Sequence, residues 1–153
     1  MENISKHISY TEATKSLTAI RYNIKNEPNE QQLANMVLLA EGVYEPLRSG
    51  LGDNPIRLAS FFRCRDLNNM VGGAVASQHM ALKGAAMDID NDGCEPSNRT
   101  IFFYIKDNLK FDQLIWESGD NENPDWVHVS FNKDKNRNQV LRFKNNKYTP
   151  YEN

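Results

Sequence analysis

Apolar residues recur at helical spacing across residues 29–51, where Leu33, Met36, Val37, Ala40, Val43, Tyr44 and Leu47 fall on one stripe. Gly50 and Gly52 close that run, so the pattern predicts one long helix. Residues 56–60 follow a Gly-Asp-Asn-Pro turn and predict a short buried strand. Residues 65–70 predict a second helix, ended by Gly72 and Gly73, where the backbone turns at low steric cost. Residues 77–84 read as loop.

The period then changes. Residues 85–90 alternate, with Met87 and Ile89 on one face and Ala86, Asp88 and Asp90 on the other, which predicts a half-buried strand presenting a polar face. Residues 97–109 return to helical spacing, with Ser97 or Asn98 as cap. Residues 111–117 and 126–131 are rich in β-formers, and residues 139–144 and 147–149 predict a closing hairpin through Asn145 and Asn146. Helices early and strands with short turns late indicate an α+β fold with a mainly antiparallel sheet.

Composition narrows the class. A chain of 153 residues with 39% apolar and 25% charged residues suits a single domain, 1–153, with its own core. Eighteen basic against 20 acidic side chains give no broad positive field, so nucleic acid is excluded as a partner. No stretch is long and apolar enough to span a bilayer, and the start, Met-Glu-Asn-Ile-Ser-Lys-His, lacks a secretory pattern. The expectation is synthesis in the cytoplasm without a signal peptide. Cys64 and Cys94 form no C-x-x-C pair and are predicted to be free thiols.

Candidate chemistry centres on two of the three histidines. In Asp125-Trp-Val-His-Val-Ser-Phe131, alternation puts Trp126, His128 and Ser130 on one face while Val127, Val129 and Phe131 point to the core. In Ser77-Gln-His79 through Gly84 to Asp88-Ile-Asp90, a loop histidine precedes a strand that presents carboxylate. Two imidazoles and a carboxylate suit Zn²⁺, which takes N and O donors tetrahedrally and keeps a fourth position for water when catalytic. Taken singly, each residue is accounted for by an ordinary loop or surface role; the combination is a hydrolase's inventory. Asp88 and Asp90 share parity, so alternation does not choose between them.

The segments Glu45-Pro-Leu-Arg48, Ile56 to Arg63, Leu67-Asn68, Val71-Gly-Gly73, Ser77-Gln-His79, Phe111-Asp-Gln-Leu-Ile115, Trp126-Val-His128-Val-Ser130 and Asn136-Arg137 follow one another in an order that resembles a known superfamily. It is the zinc D-Ala-D-Ala carboxypeptidase and L-alanyl-D-glutamate endopeptidase superfamily of peptidoglycan peptidases, which includes phage endolysins. The resemblance implies a Hedgehog/D-Ala-D-Ala peptidase-like fold with helices packed on one side of the sheet, and one Zn²⁺ held by His79, Asp88 and His128. It places the catalytic acid at Asp125, three residues before the last histidine, and a transition-state arginine at Arg63. Trp126 is positioned to wall a substrate cleft, and Ser77 and Ser130 to hold the peptide or orient ligands. Glu117, which ends a strand near the same loop, is the second candidate for the base. The superfamily commonly spaces glycine three and aspartate seven residues after the first histidine, whereas Gly84 and Asp88 come two residues later; Asp88 is favoured over Asp90 because it sits in Ala-Met-Asp-Ile.

The implied activity is cleavage of stem peptides in bacterial peptidoglycan, as an L-Ala-D-Glu endopeptidase slightly ahead of a D-Ala-D-Ala carboxypeptidase. The compact chain suits a phage lysin or virion component acting on the wall, with virion proteins as partners in that case. The alternative from another class is a non-catalytic peptidoglycan-binding or virion structural module that retains the fold.

Overall fold

The N-terminal stretch, for which the apolar pattern predicts no element, forms strands β1 (Asn3–Ser5) and β2 (Ile8–Ser9), an antiparallel ribbon leading into helices α1 (Tyr10–Thr14) and α2 (Leu17–Arg21). The structure, a computed structural model, describes residues 2–152. Helices this short do not hold in isolation. Ser9 and Ser16 cap them, accepting from the N–H groups of Glu12 and Ala19. Glu45 ties the ribbon down: its carboxylate accepts from the Ser5 hydroxyl at 2.6 Å and the His7 N–H at 2.8 Å, and pairs with His7 Nδ1 at 2.7 Å.

The predicted long helix forms with an irregular middle: α3 (Glu30–Leu39), a π-helical turn (Ala40–Tyr44), then α4 (Glu45–Gly50). Pro46 is the physical reason, because it has no N–H for the Gly42 carbonyl and its ring crowds that carbonyl. The wider turn absorbs the mismatch, with the Glu45 N–H reaching back to Ala40. Asn29 and Gln32 start α3 with a reciprocal capping box. Met36, Leu39, Val43 and Leu47 are fully buried, and the Tyr44 hydroxyl donates to the Ile56 carbonyl at 2.7 Å.

There follow β3 (Leu58–Ser60), α5 (Arg65–Met70), a 3₁₀ turn (Gln78–Met80), β4 (Gly84–Ile89), α6 (Asn98–Asn108), β5 (Gln113–Glu117), β6 (Trp126–Asn132), β7 (Gln139–Lys144) and β8 (Lys147–Pro150). The last six strands make one sheet in the order β3-β4-β6-β5-β7-β8, antiparallel throughout except for the parallel pair β5-β7. Two expectations need correction. The segment predicted as a buried strand is the sheet's edge, with Ala59 exposed and Leu58 half-buried. The strand predicted from residue 111 starts at Gln113, whose N–H is taken by the Ser130 hydroxyl rather than by a backbone carbonyl of β6. The hairpin between β7 and β8 turns as predicted at Asn145 and Asn146, both at positive φ.

Register divides the sheet into two faces. Met87 opposes Val129 and Ile89 opposes Val127, and across β5 Leu114 and Trp116 oppose the same valines; all join Met36, Leu39, Phe102 and Ile105 from α3 and α6 in one core. The reverse face carries Asp88 opposite His128, Ile115 opposite His128 on the other side, and Glu117 opposite Trp126. Among the described residues no helix is long and apolar enough to cross a membrane.

Candidate metal centre

His79 belongs to a turn that three other elements hold in place. On the α3 side, Gln32 Nε2 donates to the Met80 carbonyl at 3.0 Å and Asn35 Nδ2 to the Ala81 carbonyl at 2.8 Å. Ala81 takes a left-handed conformation, which reverses the chain toward β4. From the β3–α5 turn, the Arg63 N–H donates to the His79 carbonyl at 2.9 Å. The third tie runs through Gln78, whose Nε2 donates to Asp112 Oδ2 at 2.9 Å, while Arg137 clamps the same carboxylate with two side-chain bonds of 2.8 Å. Arg137 holds the Asp112 carboxyl at about 2, against the penalty of burial.

The His79 ring is 3% exposed and its Nδ1 lies 2.7 Å from the Phe61 carbonyl. That contact places the proton on Nδ1 and leaves the Nε2 lone pair for a cation. Nε2 lies 3.3 Å from Asp88 Oδ2, and His128 Nδ1 lies 3.0 Å from Asp88 Oδ1. One donor atom from each of His79, Asp88 and His128 lies within 4.8 Å of the others. Burial alone would raise the Asp88 carboxyl, but the two imidazoles outweigh it and hold the group well below the usual carboxylate range. Two neutral-capable imidazoles and an ionised carboxylate, converging from a turn and two neighbouring strands, fit zinc's donor preference.

The structure keeps Asp90 out of this group. Its Oδ1 accepts from Asn98 Nδ2 and from the Asp92 N–H, each at 3.1 Å, so it organises the loop after β4. Arg63 stands beside the centre, half-buried, with its guanidinium 3.3 Å from the Ser77 hydroxyl and a buried Nε that has no partner among the described residues. Burial lowers its pKa and Asp88 raises it. Ser77 brackets the site, its hydroxyl also accepting from the His79 N–H at 3.3 Å. Trp126 is half-buried on the ligand face of β6.

Ser130 is 0% exposed and its hydroxyl accepts from the Gln113 N–H at 3.0 Å. Asp125 is exposed one residue ahead of β6, at the parity of Val127, and its N–H donates to the Glu117 carbonyl at 2.9 Å. Glu117 itself, 7% exposed, lies on the ligand face between Trp126 of β6 and Phe143 of β7. Burial pushes its carboxyl up to about 7, with His128 pulling it down and Asp88 pushing it further up. The strand ends there because Ser118 and Gly119 turn at positive φ, and a Cβ on Gly119 would lie 2.2 Å from the Asn123 carbonyl oxygen.

The sequence pattern missed the clamp of Gln78, Asp112 and Arg137, although all three lie in the segments that carry the resemblance. Its one signal was a carboxylate opening a β-rich run, Phe111-Asp112-Gln113, beyond the reach of alternation. No curated protein matches the chain. Residues 6–130 match the family described as Peptidase M15, and the chain belongs to that family of zinc D-Ala-D-Ala carboxypeptidase relatives.

Proposed function

We propose that this protein hydrolyses peptide bonds in the stem peptides of bacterial peptidoglycan, as an L-Ala-D-Glu endopeptidase in preference to a D-Ala-D-Ala carboxypeptidase. The observation that carries the reading is the convergence of His79, Asp88 and His128, with a guanidinium and a second carboxylate at its border. A bound zinc ion supplies Lewis acidity, making water acidic near neutral pH and polarising a carbonyl. His79 and His128 present nitrogen donors in fixed orientation, and Asp88 contributes the compensating charge.

Glu117 is the proposed base. It shares the ligand face, one strand over from His128, where its carboxylate takes the proton of the attacking water and returns it to the departing amine. Asp125, one residue outside the strand, lacks that placement. Arg63 meets the negative charge that grows on the carbonyl oxygen as the bond is attacked, which favours the transition state over the resting peptide.

Purified peptidoglycan treated with zinc-loaded protein and read by mass spectrometry tests the reaction. New L-Ala carboxyl termini identify the endopeptidase, and loss of terminal D-Ala identifies the carboxypeptidase. Intact stem peptides at every zinc concentration reject both. His128→Ala is expected to lose zinc and activity together, by at least ~100-fold in metal affinity, read by competition with a chelating dye.

A further inference from the structure

A cleft of about 600 Å³ runs beside the metal centre, between the outer edge of β3 and helices α1 and α2. Ser60, the Cα partner of Asp88, lines it, so the cleft opens next to the candidate metal ligands. Its walls combine three properties. Among the described residues β3 has β4 as its only neighbour in the sheet, which leaves an edge able to accept an extended chain. Lys15, Arg57 and Arg63 border the space, and among the described residues none of them is in an ion pair. The one acid on the wall, Glu12, is already within electrostatic reach of Arg48. Leu17 and Val71 supply apolar surface, 76% and 42% exposed.

A cleft with an open strand edge, an excess of positive charge and small apolar patches fits an extended anionic peptide with short apolar side chains. We propose that the carboxylate-bearing arm of the stem peptide lies along β3 in this cleft, with Lys15 and Arg57 binding its free carboxylate and Leu17 and Val71 covering its alanine methyls. Arg57 donates to the Asp92 carbonyl, and a guanidinium with five donors keeps others for the peptide. Arg63, at the end of the cleft nearest Asp88, links the docked arm to the reacting bond. This specificity site rests on the peptidase reading.

The test compares two synthetic stem peptides, one with its glutamate carboxyl free and one with that carboxyl amidated, on the zinc-loaded protein. The expected KM is about fivefold lower for the free acid, the upper end for ion pairs made by exposed side chains such as Lys15 and Arg57. In the Lys15→Gln/Arg57→Gln variant that ratio falls toward about one. Both peptides are measured on the same sample, so any unfolded fraction cancels. A variant ratio equal to the original, or no preference in the original protein, overturns the proposal. Calorimetric titration of both peptides into the Glu117→Gln protein gives the same comparison without turnover. Charge-dependent binding there, with cleavage of neither peptide by the original protein, sinks the peptidase reading and keeps the cleft; equal binding of the two peptides, or binding of neither, sinks the cleft.

Discussion

One face of β4, β5 and β6 carries Met87, Ile89, Leu114, Trp116, Val127 and Val129, all at most 1% exposed, while the other carries Asp88, Glu117 and His128. On the second face burial penalises the charged forms of both Asp88 and Glu117; the two imidazoles outweigh that penalty at Asp88, whereas the Glu117 carboxyl stays raised. Each buried apolar side chain on the first face contributes about 1.5–3 kcal/mol. Because side chains alternate, a slip of one residue would send the valines to the ligand face and His128 to the core. The apolar face therefore places the chemical one, and the two should respond to mutation in different observables.

Glu117→Gln is expected to give the largest effect on the ligand face, a loss of about 10²–10⁴ in kcat with zinc content unchanged, whereas Asp125→Ala should stay within a few-fold. Steady-state rates paired with metal analysis check this, and the opposite ranking would return the base to Asp125. Met87→Ala breaks the other face. It should cost about 2–5 kcal/mol in urea denaturation while leaving zinc stoichiometry and kcat per folded molecule near their original values.

The smallest effect concerns Asp112, which belongs to neither face and ties the start of β5 to the turn bearing His79. Its folded pKa is depressed from the ordinary 3.8 to about 2, so its stabilisation is complete above the unfolded value and is lost as pH falls through about 2. With the Arg137 side chain 51% exposed, solvent screening limits the contribution to roughly 1–2 kcal/mol. Denaturation at pH 6 and at pH 2 should show the original protein losing that much more stability than Asp112→Asn over the same interval.

Elements with their own periodicity were legible in the sequence. Residues 97–109 predict α6 to within a residue at each end, with Ser97 as the observed cap, and residues 65–70 coincide with α5. The N-terminal ribbon and the helices α1 and α2 were not legible, because they depend on distant partners such as Glu45 for Ser5 and Ala13 for Phe62. Strand order has the same character: nothing local announces that β5 lies between β6 and β7, or that it runs parallel to β7. At the site, alternation put His128 and both Asp88 and Asp90 on polar strand faces, His79 stood out as a loop histidine ahead of that strand, and the resemblance favoured Asp88 and supplied Arg63. The placement of Glu117 followed from cross-strand register, which pairs it with Trp126 and Phe143, rather than from its distance along the chain to His128.

The turn bearing His79 is fastened by Gln32, Asn35, Phe61 and Asp112, none of which is among the three candidate ligands. Its shape is thus independent of cargo. Unlike a zinc finger, in which ion capture drives collapse of the chain, this scaffold should survive chelation as a folded apoprotein and regain its full complement of ion when zinc is restored.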